Sequence, residues 1–191
     1  MPATLRAADA QSLLALHRSY IGWQYAGSVT SMRLTIVHRD AQRRLIARGR
    51  EERIGLAYRR DWGPDDASGF TGRLFWNTTG NGFTVPQIGD SARYDLAVDA
   101  LFAEATTQLP ATVRAMTTLD GAPVAIIRVG MNGAFPIDIY EDTSTGAYRQ
   151  AVIDPGGSNE TTIAIRSYIT ARSGRKIIGS WSYGSAADFY A

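Results

Sequence analysis

The chain has 191 residues, of which 45% are hydrophobic and 20% charged, with a formal net charge of +2. These values are typical of one folded globular domain, and they exclude a disordered or strongly basic chain. The chain contains no cysteine, which excludes disulfides, thiolate metal sites and a cysteine nucleophile.

The N-terminal part predicts one helix followed by strands. Leu13, Leu16 and Tyr20 recur at helical spacing, so we expect a helix from Ala7 to Tyr20 that ends before Gly22. From Val29 the hydrophobic period changes to two, as in a half-buried strand, with Met32, Leu34 and Ile36 on one side. Further strands are predicted over Arg43–Arg48, over Glu52–Arg59 and from Phe70 to Trp76, with DWGPDDASG as a loop before the last of them.

A second helix is predicted from Ser91 to Gln108. Asp90 or Ser91 can cap it by accepting a hydrogen bond from a free backbone N–H, and Pro110 ends it. The apolar stripe of this helix consists of Tyr94, Val98, Leu101, Phe102 and Ala105.

The C-terminal part predicts a hairpin and then a four-strand meander. Asp120-Gly121 favours a type I′ turn between Thr112–Leu119 and Pro123–Val129. From Phe135 to Tyr183 four strands are separated by the short polar links DTSTG, PGGSN and ARSG. Only antiparallel neighbours can be joined so tightly, so these strands form an antiparallel meander. The whole chain thus predicts roughly ten strands and two helices.

The ends of the sequence lack features of an export signal. The first residues, MPATLRAADA, have neither the basic start nor the apolar run of a secretory signal, and no apolar run is long enough to cross a bilayer. Either the protein is cytoplasmic or its signal is absent from this sequence. Because both ends appear cut, we expect a single domain over residues 1–191 that is excised from a longer exported protein.

The order of elements resembles the bacterial outer-membrane lipoprotein-carrier fold. The segment IDIYEDTSTGAYRQAVID is similar to that family's strand, Asp-x-x-Thr-Gly turn and returning strand. The segment TTIAIRSYITARSGRKIIGSW is similar to its strand, Tyr-containing bend, Gly turn and final strand. The resemblance implies an α+β domain, in which a strongly curved antiparallel half-barrel of about ten strands carries two helices on its concave, apolar face.

Three segments also resemble a domain that precedes the catalytic part in bacterial retropepsin-like aspartyl protease family proteins: LLALHRSYIGWQY, GFTVPQIGD and YRQAVIDPGGSNETTIAIRSY. This resemblance implies a non-catalytic accessory domain in the periplasm or cell envelope, with a downstream protease domain as a partner. An aspartyl protease needs an Asp-Thr/Ser-Gly loop, whose carboxylate shares a proton with a second one. Asp142-Thr143 continues to Ser144, and Asp120 is followed directly by Gly121, so neither is that loop.

Large aromatic side chains on strands and at element ends predict an apolar pocket on the curved sheet. Apolar burial contributes roughly 25 cal/mol per Å², which makes such a pocket attractive to an acyl chain. Alternatively, the helices fill the concavity and the rings are ordinary core. Seven residues are predicted to line the space between sheet and helices, through apolar contact alone: Trp76, Phe83, Leu101, Phe102, Ile163, Ile165 and Trp181.

The function predicted is therefore a non-enzymatic binding or accessory domain that holds an apolar ligand such as an acyl chain. We expect no cofactor and no nucleic-acid partner, and peripheral membrane contact is compatible with the composition. The first alternative is a purely structural module that positions a downstream aspartyl protease domain. The second is a hydrolase that uses His17 with a carboxylate, although the spacing aligns no acid or nucleophile with this histidine.

Charged residues give weaker signals. Without cysteine and without an H-x-x-H or H-E-x-x-H pattern, no transition-metal site is expected. Asp95, Asp99 and Glu104 lie on the second predicted helix. Asp95 and Asp99 are one turn apart and could do acid–base work, but a solvated polar face is favoured. The arginines between Arg43 and Arg60 could contact phosphates or acidic headgroups. Glu51 and Glu52 interrupt them, so a solvated outer sheet surface is favoured over a nucleic-acid site.

Overall fold

The computed structural model describes residues 9–24, 31–54, 57–78 and 80–183, together with the backbone of 186–190. It is an α+β fold with two α-helices, α1 (Ala10–Tyr20) and α2 (Gly89–Phe102). The strands before α2 are β1 (Met32–Arg39), β2 (Leu45–Ile54), β3 (Ala57–Gly63), β4 (Asp66–Phe70), β5 (Phe75–Thr78) and β6 (Thr84–Pro86). The strands after it are β7 (Ala111–Leu119), β8 (Ala122–Val129), β9 (Ile137–Asp142), β10 (Tyr148–Ile153), β11 (Thr161–Thr170), β12 (Lys176–Tyr183) and β13 (Ala186–Tyr190).

All these strands form antiparallel pairs in one curved, open sheet. Two six-stranded halves, β1 to β6 and β7 to β12, are each ordered as in the sequence. The last strand, β13, pairs with β12 on one side and with β1 on the other, so it joins the two halves. Strands β6 and β7 lie at the two edges. The predicted antiparallel α+β sheet with two helices is thus confirmed.

The first helix has the expected apolar face. It begins at Ala10, where the Asp9 carboxylate accepts a hydrogen bond from the Gln11 N–H, and it ends at Tyr20 as predicted. The predicted start at Ala7 lies outside the described residues. Leu13 and Leu14 are buried against the sheet, as the helical spacing requires.

Strand boundaries in the first half differ from the prediction. Strand β2 runs without interruption through Gly49, which the sequence pattern left between two strands. The Trp62 ring lies over this glycine, because a Cβ there would come within 2.7 Å of the Trp62 Cε3. Glycine is therefore required by a neighbouring strand and does not mark a break. The predicted loop DWGPDDASG is also wrong, since β3 and β4 continue to a two-residue turn at Pro64-Asp65.

The structure has thirteen described strands, three more than the roughly ten that the sequence predicts. The predicted strand from Phe70 to Trp76 is two strands, β4 and β5, separated by a turn. Gly72 adopts φ +91° in that turn, and the Thr71 hydroxyl accepts a hydrogen bond from the Leu74 N–H. The short β6 and the terminal β13 supply the other two.

The second helix is shorter than predicted and is capped differently. Its N-cap is Ile88, which makes no side-chain hydrogen bond, so the predicted cap by Asp90 or Ser91 is wrong. The helix ends at Phe102 because Glu104 takes a left-handed conformation, with φ +57°. A separate 3₁₀ turn follows over Ala105–Gln108.

The predicted hairpin and meander are confirmed. Asp120 and Gly121 both have positive φ and link β7 to β8 with Leu119 opposite Ala122. The chain then continues through β9, β10, β11 and β12 as antiparallel neighbours.

The core lies between the helices and one face of the sheet, which we call the inner face. Residues of α1 and α2 share a single apolar cluster with strands of the second half of the sheet. The fully buried members of this cluster include Leu14, Leu101, Ala125, Ile127, Ile139, Ala151, Ile153 and Ile163. Full burial of one such aliphatic side chain contributes about 1.5–3 kcal/mol, so this cluster is the main source of stability.

The first half of the inner face carries a buried ion network instead. Arg53 donates to Glu51 Oε1 at 3.0 Å and to Asp99 Oδ1 on α2 at 2.7 Å. Arg60 donates to the second Glu51 oxygen at 2.6 Å, and the Arg53 guanidinium lies 4.8 Å from the centre of the Tyr58 ring. The expected solvated face is therefore wrong for Asp99, which is 5% exposed and ties α2 to β2.

Candidate functional site

Five of the seven predicted lining residues lie together in the core beneath α2. Leu101 and Ile163 are fully buried, and Ile165 and Trp181 are nearly so. Ile165 and Trp181 are opposite each other in the β11–β12 pair, and the Phe102 ring centroid lies 4.5 Å from that of Trp181. We call Leu101, Phe102, Ile163, Ile165 and Trp181 the inner apolar cluster. Whether it binds a ligand stays a prediction.

The other two predicted lining residues, Trp76 and Phe83, lie elsewhere. Phe70 is opposite Tyr58 on the inner face, and Phe75 stacks on Phe70 with ring centroids 4.3 Å apart. Trp76 follows Phe75, so it points to the outer face, where its ring covers Gly69. Phe83 precedes the edge strand β6 and is 70% exposed. Strand register therefore separates Trp76 from the cluster, and an exposed position at the sheet edge separates Phe83.

The inner apolar cluster is closely packed. Leu14 from α1 and Leu101 from α2 are both fully buried in the same group as Ile127 and Ile139 from the sheet. Apolar faces of both helices therefore occupy the space that the sequence assigns to a ligand. An acyl chain could enter only if side chains or a helix moved, because protein interiors pack without room for such a chain.

Two surface concavities lie near the helices. One of about 440 Å³ lies at the start of α2, where Tyr94 and Asp95 approach Asn159 and Thr161. A smaller one, of about 180 Å³, is lined by Tyr20, Arg149, Tyr168 and also Ile165 of the inner apolar cluster. The smaller concavity therefore reaches the edge of the cluster from the surface.

His17 is a buried structural residue. Its ring stacks on that of Tyr148, with centroids 3.4 Å apart and planes 6° from parallel. Its Nδ1 lies 2.6 Å from the Gly146 carbonyl oxygen, to which it donates a hydrogen bond. Burial lowers the pKa of His17 to about 3, so the imidazole is neutral at physiological pH. A substrate cannot reach a fully buried ring, which argues against the hydrolase hypothesis.

Gly146 explains how α1 fits against the β9–β10 turn. It has φ +79°, and a Cβ at this position would come within 2.7 Å of the Leu16 backbone. Only glycine permits both this conformation and this approach. The glycine of the DTSTG turn thus allows α1 to pack closely against the sheet, which places His17 beside Tyr148.

A second buried acid, Glu104, joins α2 to the β11–β12 turn. Its carboxylate is fully buried and accepts a hydrogen bond from the Arg175 Nη2 at 3.2 Å. Burial raises the pKa of Glu104 to about 7, and the nearby Arg175 charge opposes that rise. The expected solvated face is therefore wrong for Glu104, and no local pattern signals its pairing with Arg175, because the two residues are far apart along the chain.

A third buried acid, Glu141, was also missed. It is fully buried on β9, opposite Ala125 on one side and Tyr148 on the other. Neither carboxylate oxygen accepts a hydrogen bond from the described residues. Burial, and secondly the Asp142 charge, raise the pKa of Glu141 to about 9, so it is protonated at neutral pH. Its alternation with the buried Ile137 and Ile139 in IDIYE would have identified its inward direction.

Two further properties concern metal and membrane. In the described ranges, no group of three or more histidine, aspartate or glutamate side chains is placed to hold a metal ion. None of the helices in the described part of the chain has both the length and the apolar character needed to cross a membrane.

Comparisons with known proteins support the fold. No protein-family model matches the sequence, and no curated protein matches it significantly. Among solved structures, a LolA superfamily protein from Nitrosomonas europaea is similar, with TM-score 0.63, 11% identity and 97% of this chain and 92% of that chain covered. A domain from Vibrio parahaemolyticus described as an outer membrane lipoprotein-sorting protein has TM-score 0.55 at 9% identity, with 96% and 92% covered.

A DUF1329 family protein from Desulfovibrio piger is similar to nearly the same extent, with TM-score 0.54, 9% identity and 96% and 91% of the two chains covered. At these identities the likeness establishes the fold alone. The chain therefore has a lipoprotein-carrier-like fold, as its element order predicts, whereas the retropepsin-like association stays a prediction.

Proposed function

We propose that this chain is a non-catalytic lipid- or lipoprotein-binding domain of the bacterial envelope. The observation that carries the proposal is the inner apolar cluster, which lies between the helices and the curved sheet of a lipoprotein-carrier-like fold. In this proposal the acyl chain is held against Leu101, Ile163 and Trp181 by apolar contact alone. A periplasmic or envelope location follows from the same reasoning.

Binding of an acyl chain requires the C-terminal turn of α2 to move away from the sheet. Phe102 and Leu101 lie at its C-terminal end, directly before the left-handed Glu104 that interrupts the helical backbone. Displacement of this last turn would uncover Trp181, whose ring contacts Phe102. In the free protein the apolar side chains of the last turn of α2 cover the cluster, and in the complex the acyl chain takes their place. Water is therefore excluded from the cluster in both states.

Quenching of Trp181 fluorescence tests the proposal. A variant with Trp23→Phe, Trp62→Phe and Trp76→Phe retains Trp181 alone, since the chain has four tryptophans. Fatty acids brominated along the acyl chain should quench it saturably, because the bromine would lie in contact with the indole ring. Native mass spectrometry with organic extraction of the purified protein should also show a discrete lipid mass.

The matched control retains Trp76 alone, on the outer face. It should show only weak, unsaturable quenching at the same fatty acid concentrations. Equal quenching of both variants, or none of Trp181, would contradict an acyl site at the inner apolar cluster.

Close packing favours a second candidate, a structural module that positions a downstream aspartyl protease domain. Leu14, Leu101 and Ile139 have no exposed surface, as expected for a core that receives no ligand. Sequencing of the native gene distinguishes this candidate. An Asp-Thr/Ser-Gly motif downstream of residue 191 would support it, and a stop codon at that point would exclude it.

A further inference from the structure

The hairpin formed by β1 and β2 carries the positive charge of this protein. Residues 39–50 contain five arginines and one aspartate, a net charge of +4, whereas the whole chain has a net charge of +2. The rest of the molecule is therefore net negative. A charge so confined to one hairpin indicates a surface with a negatively charged partner.

The turn of this hairpin is well ordered. The Asp40 carboxylate accepts hydrogen bonds from the backbone N–H groups of Gln42 and Arg44, and it also pairs with the Arg44 guanidinium at 2.7 Å. Arg43 takes a left-handed conformation, with φ +62°. Asp40, the single acid of residues 39–50, is thus used inside the turn, where it holds the Arg44 side chain in place.

Several of the arginines have no acidic partner. Ion pairs join Arg33 to Glu52 and Arg59 to Asp61 on the neighbouring outer surface. Within the described part of the chain, Arg43, Arg48 and Arg50 make no ion pair and are exposed. Arg48 and Arg50 alternate with the buried Gly49 and Glu51, so they share the outer face of β2.

Two exposed aliphatic side chains stand among these arginines. Leu45 and Ile46 are 52% and 57% exposed at the start of β2. Ile46 lies at a register shift of the β1–β2 pair, next to the exposed Leu45 and two residues before Arg48. Exposed aliphatic side chains cost free energy in water, and most protein contacts to a nucleic acid are polar contacts to phosphate and sugar. A bilayer surface accepts both groups, because cations meet anionic headgroups while leucine and isoleucine enter the acyl boundary.

We infer that the β1–β2 hairpin docks this protein on a bilayer of anionic phospholipid. The docking residues are Arg43, Leu45, Ile46, Arg48 and Arg50. This inference rests on the proposed function for its purpose, since a lipid-binding domain must meet the membrane that supplies or receives its ligand. The contact itself is independent of whether the inner apolar cluster is occupied.

Vesicle flotation tests the inference with the full chain. The protein should float with vesicles of phosphatidylglycerol and phosphatidylcholine and remain free with vesicles of phosphatidylcholine alone. Because each basic residue near an anionic surface strengthens partitioning about fivefold, a variant with Arg43→Gln, Arg48→Gln and Arg50→Gln should bind on the order of 100-fold more weakly. Raised salt should weaken the wild type in the same direction.

A second variant tests the apolar part. The double substitution Leu45→Ser and Ile46→Ser should weaken partitioning by roughly tenfold. These side chains are exposed, so the variant should fold normally. The control carries Arg114→Gln and Arg172→Gln, exposed arginines of the other half of the sheet, and should bind vesicles as the wild type does.

Three results would overturn the inference: equal binding to neutral and anionic vesicles, unchanged binding of the Arg43/Arg48/Arg50 variant, or preferential binding of duplex DNA over vesicles. Quenching of Trp181 by free brominated fatty acids is measured in the same variants without vesicles. It shows whether the acyl site works when docking on the vesicle fails. Loss of flotation with quenching retained assigns the hairpin to docking alone.

Discussion

Glu141 and His17 show how burial decides the charge of single residues in this protein. Both are fully buried within the inner face, close to Tyr148. Burial raises the pKa of the acid and lowers the pKa of the base, so each is neutral at physiological pH. As pH rises, the two pKa shifts change the free energy of unfolding in opposite directions. The folded state keeps a proton on Glu141 that the unfolded state releases, and it excludes a proton from His17 that the unfolded state binds at low pH.

The substitution Glu141→Gln should change the pH dependence of stability. The pKa of Glu141 is raised to about 9 in the folded state, so its contribution is fully present below its ordinary pKa and is lost as pH rises towards 9. The wild-type free energy of unfolding should fall relative to the variant by at most about 1.4 kcal/mol per pH unit between pH ~7 and ~8.5. Urea unfolding across that range measures the difference.

The control for this experiment is Glu160→Gln, an exposed glutamate whose carboxylate accepts a hydrogen bond from the Gly156 N–H. Its stability curve should run parallel to that of the wild type. If the Glu141→Gln curve also ran parallel, Glu141 would not be a protonated buried acid.

Among the elements, α2 is held by two unlike contacts, both in its C-terminal half. Its C-terminal end contributes Leu101 and Phe102 to the inner apolar cluster, while Asp99 accepts a hydrogen bond from Arg53 on β2. Both groups of this ion pair are nearly fully buried. Loss of the Asp99 charge would leave the buried network of Arg53, Arg60 and Glu51 with one excess positive charge, which is more costly than loss of a whole pair.

The substitution Asp99→Asn should therefore destabilise the protein by about 3–5 kcal/mol. Asp95 lies one turn earlier on the same helix and forms no ion pair within the described residues, so Asp95→Asn is the matched control and should cost little. Burial raises the pKa of Asp95, which further reduces the expected penalty for a neutral residue there. Thermal and urea unfolding measure both variants, and equal effects would refute a specific role of the Arg53–Asp99 pair.

At the scale of the whole molecule, β13 unites the sheet. It is the only strand that brings the first half of the described sheet next to the second, through pairing with β1 and β12. The inner apolar cluster belongs to the second half, and the buried ion network belongs to the first. Their joint position beneath α2 therefore depends on this last strand.

Proline in β13 should be far more damaging than proline at an edge. Asp188 lies opposite His38 on one side and Trp181 on the other, so Asp188→Pro removes a backbone N–H from a central strand. We expect a loss on the order of 3 kcal/mol. Val85→Pro, in the edge strand β6, should cost less because only β5 pairs with it. Similar losses in the two variants, measured by urea unfolding, would contradict a central role for β13.

Elements with local signals follow from the amino-acid sequence alone. The φ preferences of Asp120-Gly121 specify the β7–β8 hairpin, and short polar links require the antiparallel meander. Leu101 belongs to the apolar stripe that helical spacing predicts for the second helix, and it is fully buried, because such spacing depends only on near neighbours. These local patterns were sufficient for the α+β class and for most of the inner apolar cluster.

Features that depend on distant residues follow from the three-dimensional packing of the chain. Gly49 lies inside a strand because Trp62 covers it, and Trp76 faces outward because its register follows from Phe70 and Phe75. Glu104 breaks α2 where it pairs with Arg175, far along the chain. In each case the deciding interaction joins residues on different elements, and local propensity carries no information about such a pairing.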